Sequence, residues 1–220
     1  MRIITAILAG GFGAASLGAQ SSETIMDRAA SKYASMKTVR AEFRQTITNP
    51  LTGTSSVSRG ELLRREPNLL AINFTDPKGD RVVADGKAVW VYLPSSAPGQ
   101  VMRLSARNKS AQVIDPGSLF LTSPRTRYTM KSGGTATVGG ARTDVVLLTP
   151  KTSNAPFTRA KVWVDASGIV KQFEVTDANG LTRFVVITRL VPNATIARSA
   201  FSFTPPRGAR IVDSASFGGM

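Results

Sequence analysis

Gly60-Glu-Leu-Leu-Arg-Arg-Glu-Pro-Asn-Leu-Leu-Ala-Ile-Asn-Phe74, followed by Asp85-Gly-Lys-Ala-Val-Trp-Val-Tyr-Leu-Pro94, decides how this chain folds. The pattern reads as consecutive strands with a proline kink and a glycine turn before the last. Pro67 has no N–H to give a ladder, so it marks a bulge, an edge or a break. Beyond it, Leu70, Ile72 and Phe74 alternate with smaller or polar neighbours and therefore face one way. Asp85-Gly86 is a hairpin signal. Large apolar side chains on strands that otherwise look water-facing, with no catalytic residue beside them, point to a β-surface that holds something apolar and does not transform it.

Working outward, Val39, Ala41, Phe43, Gln45 and Ile47 share one strand face, with Arg40, Glu42, Arg44 and Thr46 on the other. Asn49-Pro50-Leu51-Thr52-Gly53 turns that strand into a second one through Val57 to Arg64. Upstream, Ser21 or Ser22 caps a helix with Glu23 in its first turn. There Ile25, Ala29, Tyr33 and Met36 recur at helical spacing, with Met26 beside them. Downstream, residues 142–149, 159–164, 170–176 and 181–190 read as strands. Asp165-Ala-Ser-Gly168 and Asp177-Ala-Asn-Gly180 turn between the last three, which makes those strands antiparallel neighbours.

The region from Ala97 to Arg127 breaks the pattern. Asp115-Pro116 is a helix-start signature, and Leu119, Phe120 and Leu121 make the short helix strongly apolar. Such a helix is either a plug for one end of a core or a lid; the residues leave both open. Trp90 and Tyr92 share one face of their strand, and Val89, Val91 and Leu93 share the other. Both faces are apolar, so alternation does not decide which looks inward. Trp163, Phe173 and Phe184 are equally ambiguous. The fold class is mainly β (α+β): one long curled antiparallel sheet covered by an N-terminal helix and a short helical segment. No βαβ spacing or shift of composition suggests a parallel sheet or a second domain.

Composition narrows the function. The 220 residues include no cysteine and no histidine. Without histidine there is no His-dependent triad and no histidine ligand for zinc or haem. No nucleophile elbow or Ser-x-x-Lys motif stands out, so we expect no catalytic residue, metal or cofactor. A formal charge of +14 favours anionic surfaces, but the basic residues are scattered and no aromatic-basic motif supports nucleic-acid binding. Residues 1–19 read as a cleaved signal peptide, with Arg2 ahead of an apolar, glycine-interrupted stretch and Gly18-Ala19 at its end. The expected organisation is this segment followed by a single exported domain over 20–220.

At these residues the chain resembles the LolA-type periplasmic lipoprotein carriers. The likeness is carried by Ala41-Glu-Phe-Arg-Gln45, Pro67-Asn-Leu69 with the strand after it, and Asp85-Gly-Lys-Ala-Val-Trp-Val-Tyr92. It continues in Leu148-Thr-Pro-Lys-Thr-Ser-Asn154, Gly168-Ile-Val-Lys-Gln-Phe173 and Phe201-Ser-Phe-Thr-Pro-Pro-Arg-Gly208. The resemblance implies an unclosed β-barrel with a helical lid over a hydrophobic cavity. It also implies a monomeric shuttle that takes lipoproteins from an inner-membrane ABC transporter to an outer-membrane receptor. Candidate cavity lining is then Leu70, Ile72 and Phe74, with Phe43, Ile47, Trp90 and Tyr92; Leu119, Phe120 and Leu121 are the candidate lid. Many members carry an arginine directly before the strand proline as a lid latch. Here that position is Glu66, after Arg64 and Arg65, so either Arg65 reaches the lid or the lid is held differently. The alternative within the same fold is an envelope-stress sensor or a lipid- or lipopolysaccharide-binding protein.

Overall fold

A computed structural model of the chain describes residues 20–105 and 116–213. The expected signal segment and the Asp115 cap lie outside these residues. The chain begins with α1 (Ser22–Ala34), then runs through β1 (Thr38–Asn49), β2 (Thr54–Arg65), β3 (Leu69–Asp76), β4 (Lys78–Asp85), β5 (Ala88–Tyr92) and β6 (Gln100–Ser105). Two short helices follow, α2 (Pro116–Leu121) and α3 (Pro124–Arg127). The second half comprises β7 (Tyr128–Val138), β8 (Ala141–Pro150), β9 (Arg159–Asp165), β10 (Val170–Thr176) and β11 (Thr182–Pro192). A 3-10 turn (Arg198–Phe201) and β12 (Arg210–Asp213) complete it.

All these strands form one twelve-stranded sheet in the order β12-β6-β5-β4-β3-β2-β1-β11-β10-β9-β8-β7. β12 and β7 are its two edges, so the sheet is not closed into a barrel. Neighbours pair antiparallel except β12, which runs parallel to β6 and corrects the expectation of a wholly antiparallel sheet. Pro67 separates β2 from β3 instead of kinking a strand, because the chain reverses there and no ladder N–H is needed.

The turns follow from their aspartates. Asp165 Oδ1 accepts from the N–H groups of Ser167 and Ile169, each at 2.9 Å, and Asp177 Oδ1 accepts from Asn179 at 2.8 Å and Leu181 at 3.0 Å. Asp85 does the same for Lys87 and Ala88 and takes a further bond from Trp90 Nε1 at 2.9 Å. Burial opposes the Asp85 charge, but the bonds from Ala88, Trp90 and Lys87 outweigh it and hold its pKa below the ordinary value. Gly168 is required twice over. Its φ of +86° is left-handed, and a Cβ there would lie 2.9 Å from the Arg28 carbonyl oxygen of α1.

Helix α1 is capped by Ser21, whose hydroxyl accepts from the Thr24 N–H at 3.2 Å. It buries Ile25, Met26 and Ala29 against the inner face of the sheet, in a core shared with Phe120, Tyr128, Val146, Val162, Phe173 and Val185. A second core lies on the opposite, outer face, where Ile196 and Phe201 of the returning C-terminal segment cover Leu63, Ala71 and Val83. Both faces of β3 are therefore apolar for different reasons.

Phe201 is 2% exposed in that outer core. Phe201→Ala should lower unfolding free energy by about 3–5 kcal/mol, the usual cost of deleting a buried ring. Urea unfolding checks this: the midpoint falls with the slope unchanged, whereas a loss below about 1 kcal/mol would mean the C-terminal segment is not docked.

Candidate functional site

Directly paired residues in antiparallel strands share a face, so the register identifies what lines the inside of the sheet. One inner row runs Ala41–Leu62–Ile72–Val82–Val91–Met102 from β1 to β6, and it is apolar throughout. The next row runs Val39–Arg64–Leu70–Ala84–Val89–Leu104 and contains a single charge. Phe43 and Phe74 add a T-shaped pair with centroids 5.7 Å apart. Leu70 is buried at 5% exposure, while Ile72, Val82, Val91 and Met102 are only half-buried. A contiguous apolar wall left half-covered is unusual for a structural core and suits a ligand surface.

The wall adjoins an apolar cavity of about 80 Å³ whose lining includes Tyr33, Met36, Leu62, Arg64, Phe120 and Phe173. A cavity of about 150 Å³ takes up a single benzene, so this space is too small for an acyl chain as it stands. Phe120 closes one side of it. The ring is 1% exposed and packs on Phe173 at 5.2 Å and Phe157 at 5.8 Å, with Leu119 and Leu121 each 7% exposed beside it. Helix α2 thus lies against the apolar space with its aromatic side chain buried there.

Polar contacts at its margins hold α2 down. Tyr128 Oη donates to the Leu119 carbonyl, and burial pushes the Tyr128 pKa up. Arg125 of α3 pairs with Asp27 of α1 at 2.5 Å. The backbone of α2 lies directly on Tyr33, since a Cβ on Gly117 would fall 1.8 Å from that ring. On the cavity side Arg64 stacks over Tyr33 at 3.9 Å and donates Nη2 to the Met36 carbonyl at 2.9 Å. Arg64 pairs with Val39 of β1 and so faces inward; alternation along β2 does not reveal this, because Leu62-Leu63-Arg64-Arg65 puts one leucine and one arginine on each face.

Three expectations need correction. Trp90 and Tyr92 do not line the cavity: they pair with Val83 and Arg81, which places them on the outer face, where both rings pack against Phe203 at 5.8 and 5.9 Å. The inward residues of that strand are Val89 and Val91. Arg65 is no lid latch, because it too points outward, donating to the Ile196 carbonyl. Glu66 does not reach α2 either; it pairs with Lys37 at 3.1 Å and Arg64 at 3.3 Å, and the Lys37 hydrogen bond is the main cause of its lowered pKa. Ile47 shares the inner face but sits along β1 beyond the cavity, opposite Arg183 and Ser56. Phe173 faces the cavity, whereas Trp163 and Phe184 meet edge-on at 6.2 Å on the outer side of the sheet.

Residues 34–204 match the sequence family described as outer membrane lipoprotein carrier protein LolA. A protein of Haemophilus influenzae (strain PittEE) named outer-membrane lipoprotein carrier protein is 27% identical over 182 residues, covering 83% of each chain. One of the same name from Serratia proteamaculans (strain 568) is 24% identical over 213 residues, 96% of this chain and 97% of that one. Among solved structures, an uncharacterized conserved protein from Thermus thermophilus superposes with a TM-score of 0.56 at 12% identity, over 88% of this chain and 99% of that one. MucB superposes with a TM-score of 0.51 at 16% identity, over 83% of this chain and 62% of that one. These two likenesses are of fold. The sequence match spans both halves of the sheet, the wall and the plugging helix, and on it the chain belongs to the LolA family of outer membrane lipoprotein carrier proteins.

Proposed function

We propose that this protein carries lipoproteins through the periplasm by holding their acyl chains against the inner face of the sheet, with α2 as a lid that Phe120 closes. The observation that carries this reading is the half-covered apolar wall Leu62–Ile72–Val82–Val91–Met102, continuous with the Phe120-plugged cavity. Leu70, Ile72, Phe74 and Phe43 contribute to the lipid surface, and Leu119, Phe120 and Leu121 form the lid. Family membership supports the same task. In this reading the chain is exported through residues 1–19, acts as a monomer without cofactor or chemical step, loads from an inner-membrane ABC transporter and unloads to an outer-membrane receptor.

The physics of the task fits. Each buried methylene is worth about 0.8 kcal/mol, so a multiply acylated protein needs a shield in an aqueous compartment. Phe120 keeps the part of the apolar surface next to the cavity covered until cargo displaces the ring, while the rest of the wall stays half-covered. The stress-sensor alternative finds only a likeness of fold to MucB and has no feature of the site in its favour.

Three outcomes are expected. Ile72→Glu places a charge on the wall and should reduce lipoprotein release from spheroplasts carrying the cognate transporter by at least about ten-fold. Val57→Glu, at a residue 41% exposed, should leave release unchanged; equal effects of the two would contradict the wall assignment. Gly117→Ala drives a methyl into the Tyr33 ring at a cost of about 1–3 kcal/mol. It should loosen the lid, raising binding of an apolar fluorescent dye above wild type, and unchanged dye binding would show that the lid does not rest on Tyr33. Brominated acyl chains quench only indoles they touch. They should leave the native emission of Trp90 and Trp163 unquenched while strongly quenching a Phe74→Trp variant.

A further inference from the structure

Arg64 is a charge where the site needs none. The residue is 6% exposed, its side chain lines the apolar cavity, and it is the one charged residue in two inner rows of otherwise apolar side chains. Its polar contacts are a bond from Nη2 to the Met36 carbonyl at 2.9 Å and another from Nη2 to Glu66 Oε1 at 3.3 Å. Its Nε is buried and has no hydrogen-bond partner among the described residues. A buried donor on a guanidinium left unmatched is costly unless something else supplies an acceptor. Glu66 does not balance the charge by itself, since the same carboxylate also takes Lys37 at 3.1 Å. The cavity is therefore cationic at Arg64 and lined mainly by apolar side chains elsewhere.

We infer that Arg64 is a polar anchor within the site, binding the carbonyl or carboxylate oxygen at the end of an acyl chain whose methylenes lie along the apolar rows. A ligand that fits must be long, apolar and tipped with an oxygen acceptor, and a guanidinium bonds such oxygens more strongly than a neutral donor does. Stacking on Tyr33 at 3.9 Å fixes the plane of the guanidinium, and its buried Nε is the donor left for an acceptor brought by the ligand. This inference rests on the acyl-carrier reading and adds what part of the lipid the site recognises. The oxygen comes either from an ester of a glyceryl-type lipid, as on an acylated protein, or from a free fatty acid.

The experiment is competition for a bound apolar fluorophore by three ligands with twelve-carbon chains: laurate, methyl laurate and 1-bromododecane. Wild type should favour one or both of the oxygen-bearing ligands over 1-bromododecane by about ten-fold or more. Arg64→Met should erase that preference while binding 1-bromododecane as wild type does. Glu66→Gln, which removes the ion pair but leaves the cavity donor, should keep it. A preference for methyl laurate as strong as for laurate identifies the ester as the natural group, and a preference for laurate alone identifies the free acid. Identical preferences in wild type and Arg64→Met would overturn the inference, as would their joint loss in Glu66→Gln, which would mark Arg64 as a strut. Should Arg64→Met not fold, carbon-13 spectra of carboxyl-labelled laurate on wild type give the answer. Beside the guanidinium it should stay ionised below the pH at which free laurate protonates, and protonation at or above that pH would refute the anchor. If none of the three ligands displaces the fluorophore, the acyl-carrier reading itself fails.

Discussion

The inner face of a sheet that does not close has to be covered by something, and here the cover is helix α1 and a short helix carrying one buried phenylalanine. A second sheet would make that face a permanent core. Instead α1 takes one part of it, and α2 inserts Phe120 between Phe157 and Phe173 in another. The wall on β3 to β6 is left half-covered. Everything else in the site is a consequence of this arrangement, because an apolar surface with a small removable plug is both hidden and available.

The energies are matched in a way that suits reversible carriage. Burying a phenylalanine side chain is worth about 1.5–3 kcal/mol, which about two to four methylenes of an acyl chain equal. On the proposed reading a full chain outcompetes the plug, but it must give back the cost of opening, and apparent affinity falls by that amount. Tyr128, Gly117 on Tyr33, and the Arg125–Asp27 pair set how large that cost is. The exposed ion pair contributes little by itself; the buried carbonyl bond and the ring contact matter more. Arg64 stacks on the ring that α2 rests on, so lid position and the cationic end of the cavity are joined through Tyr33.

Much of this was legible in the sequence where one face of a strand is buried and the other wet. The alternation of β1, the Asp-x-x-Gly turns, and the facing of Leu70, Ile72 and Phe74 follow from period two and turn chemistry. Trp90 and Tyr92 were not legible, since β5 is apolar on both faces and only Phe203, more than a hundred residues downstream, determines that the aromatic side is the outer one. Strand β7 hides for another reason: the register slips between Ser132 and Thr135, and its polar, glycine-bearing middle lies at a sheet edge. Strand β12 is four residues long and pairs parallel, which leaves no hairpin signal to find. Neither Arg65 nor Glu66 reaches α2, and Arg64, the arginine that does face the cavity, needed the β1–β2 register to be placed inside.

The central claim is that the inner face of the sheet holds acyl chains and that nothing else on the cargo is required. Native mass spectrometry of the protein mixed with a lipoprotein tests it directly, using the mature acylated form and the same polypeptide with its acylated cysteine replaced by alanine. A one-to-one complex is expected with the acylated form alone, lost when Ile72 is replaced by glutamate. Complexes of equal abundance with both forms would contradict the claim.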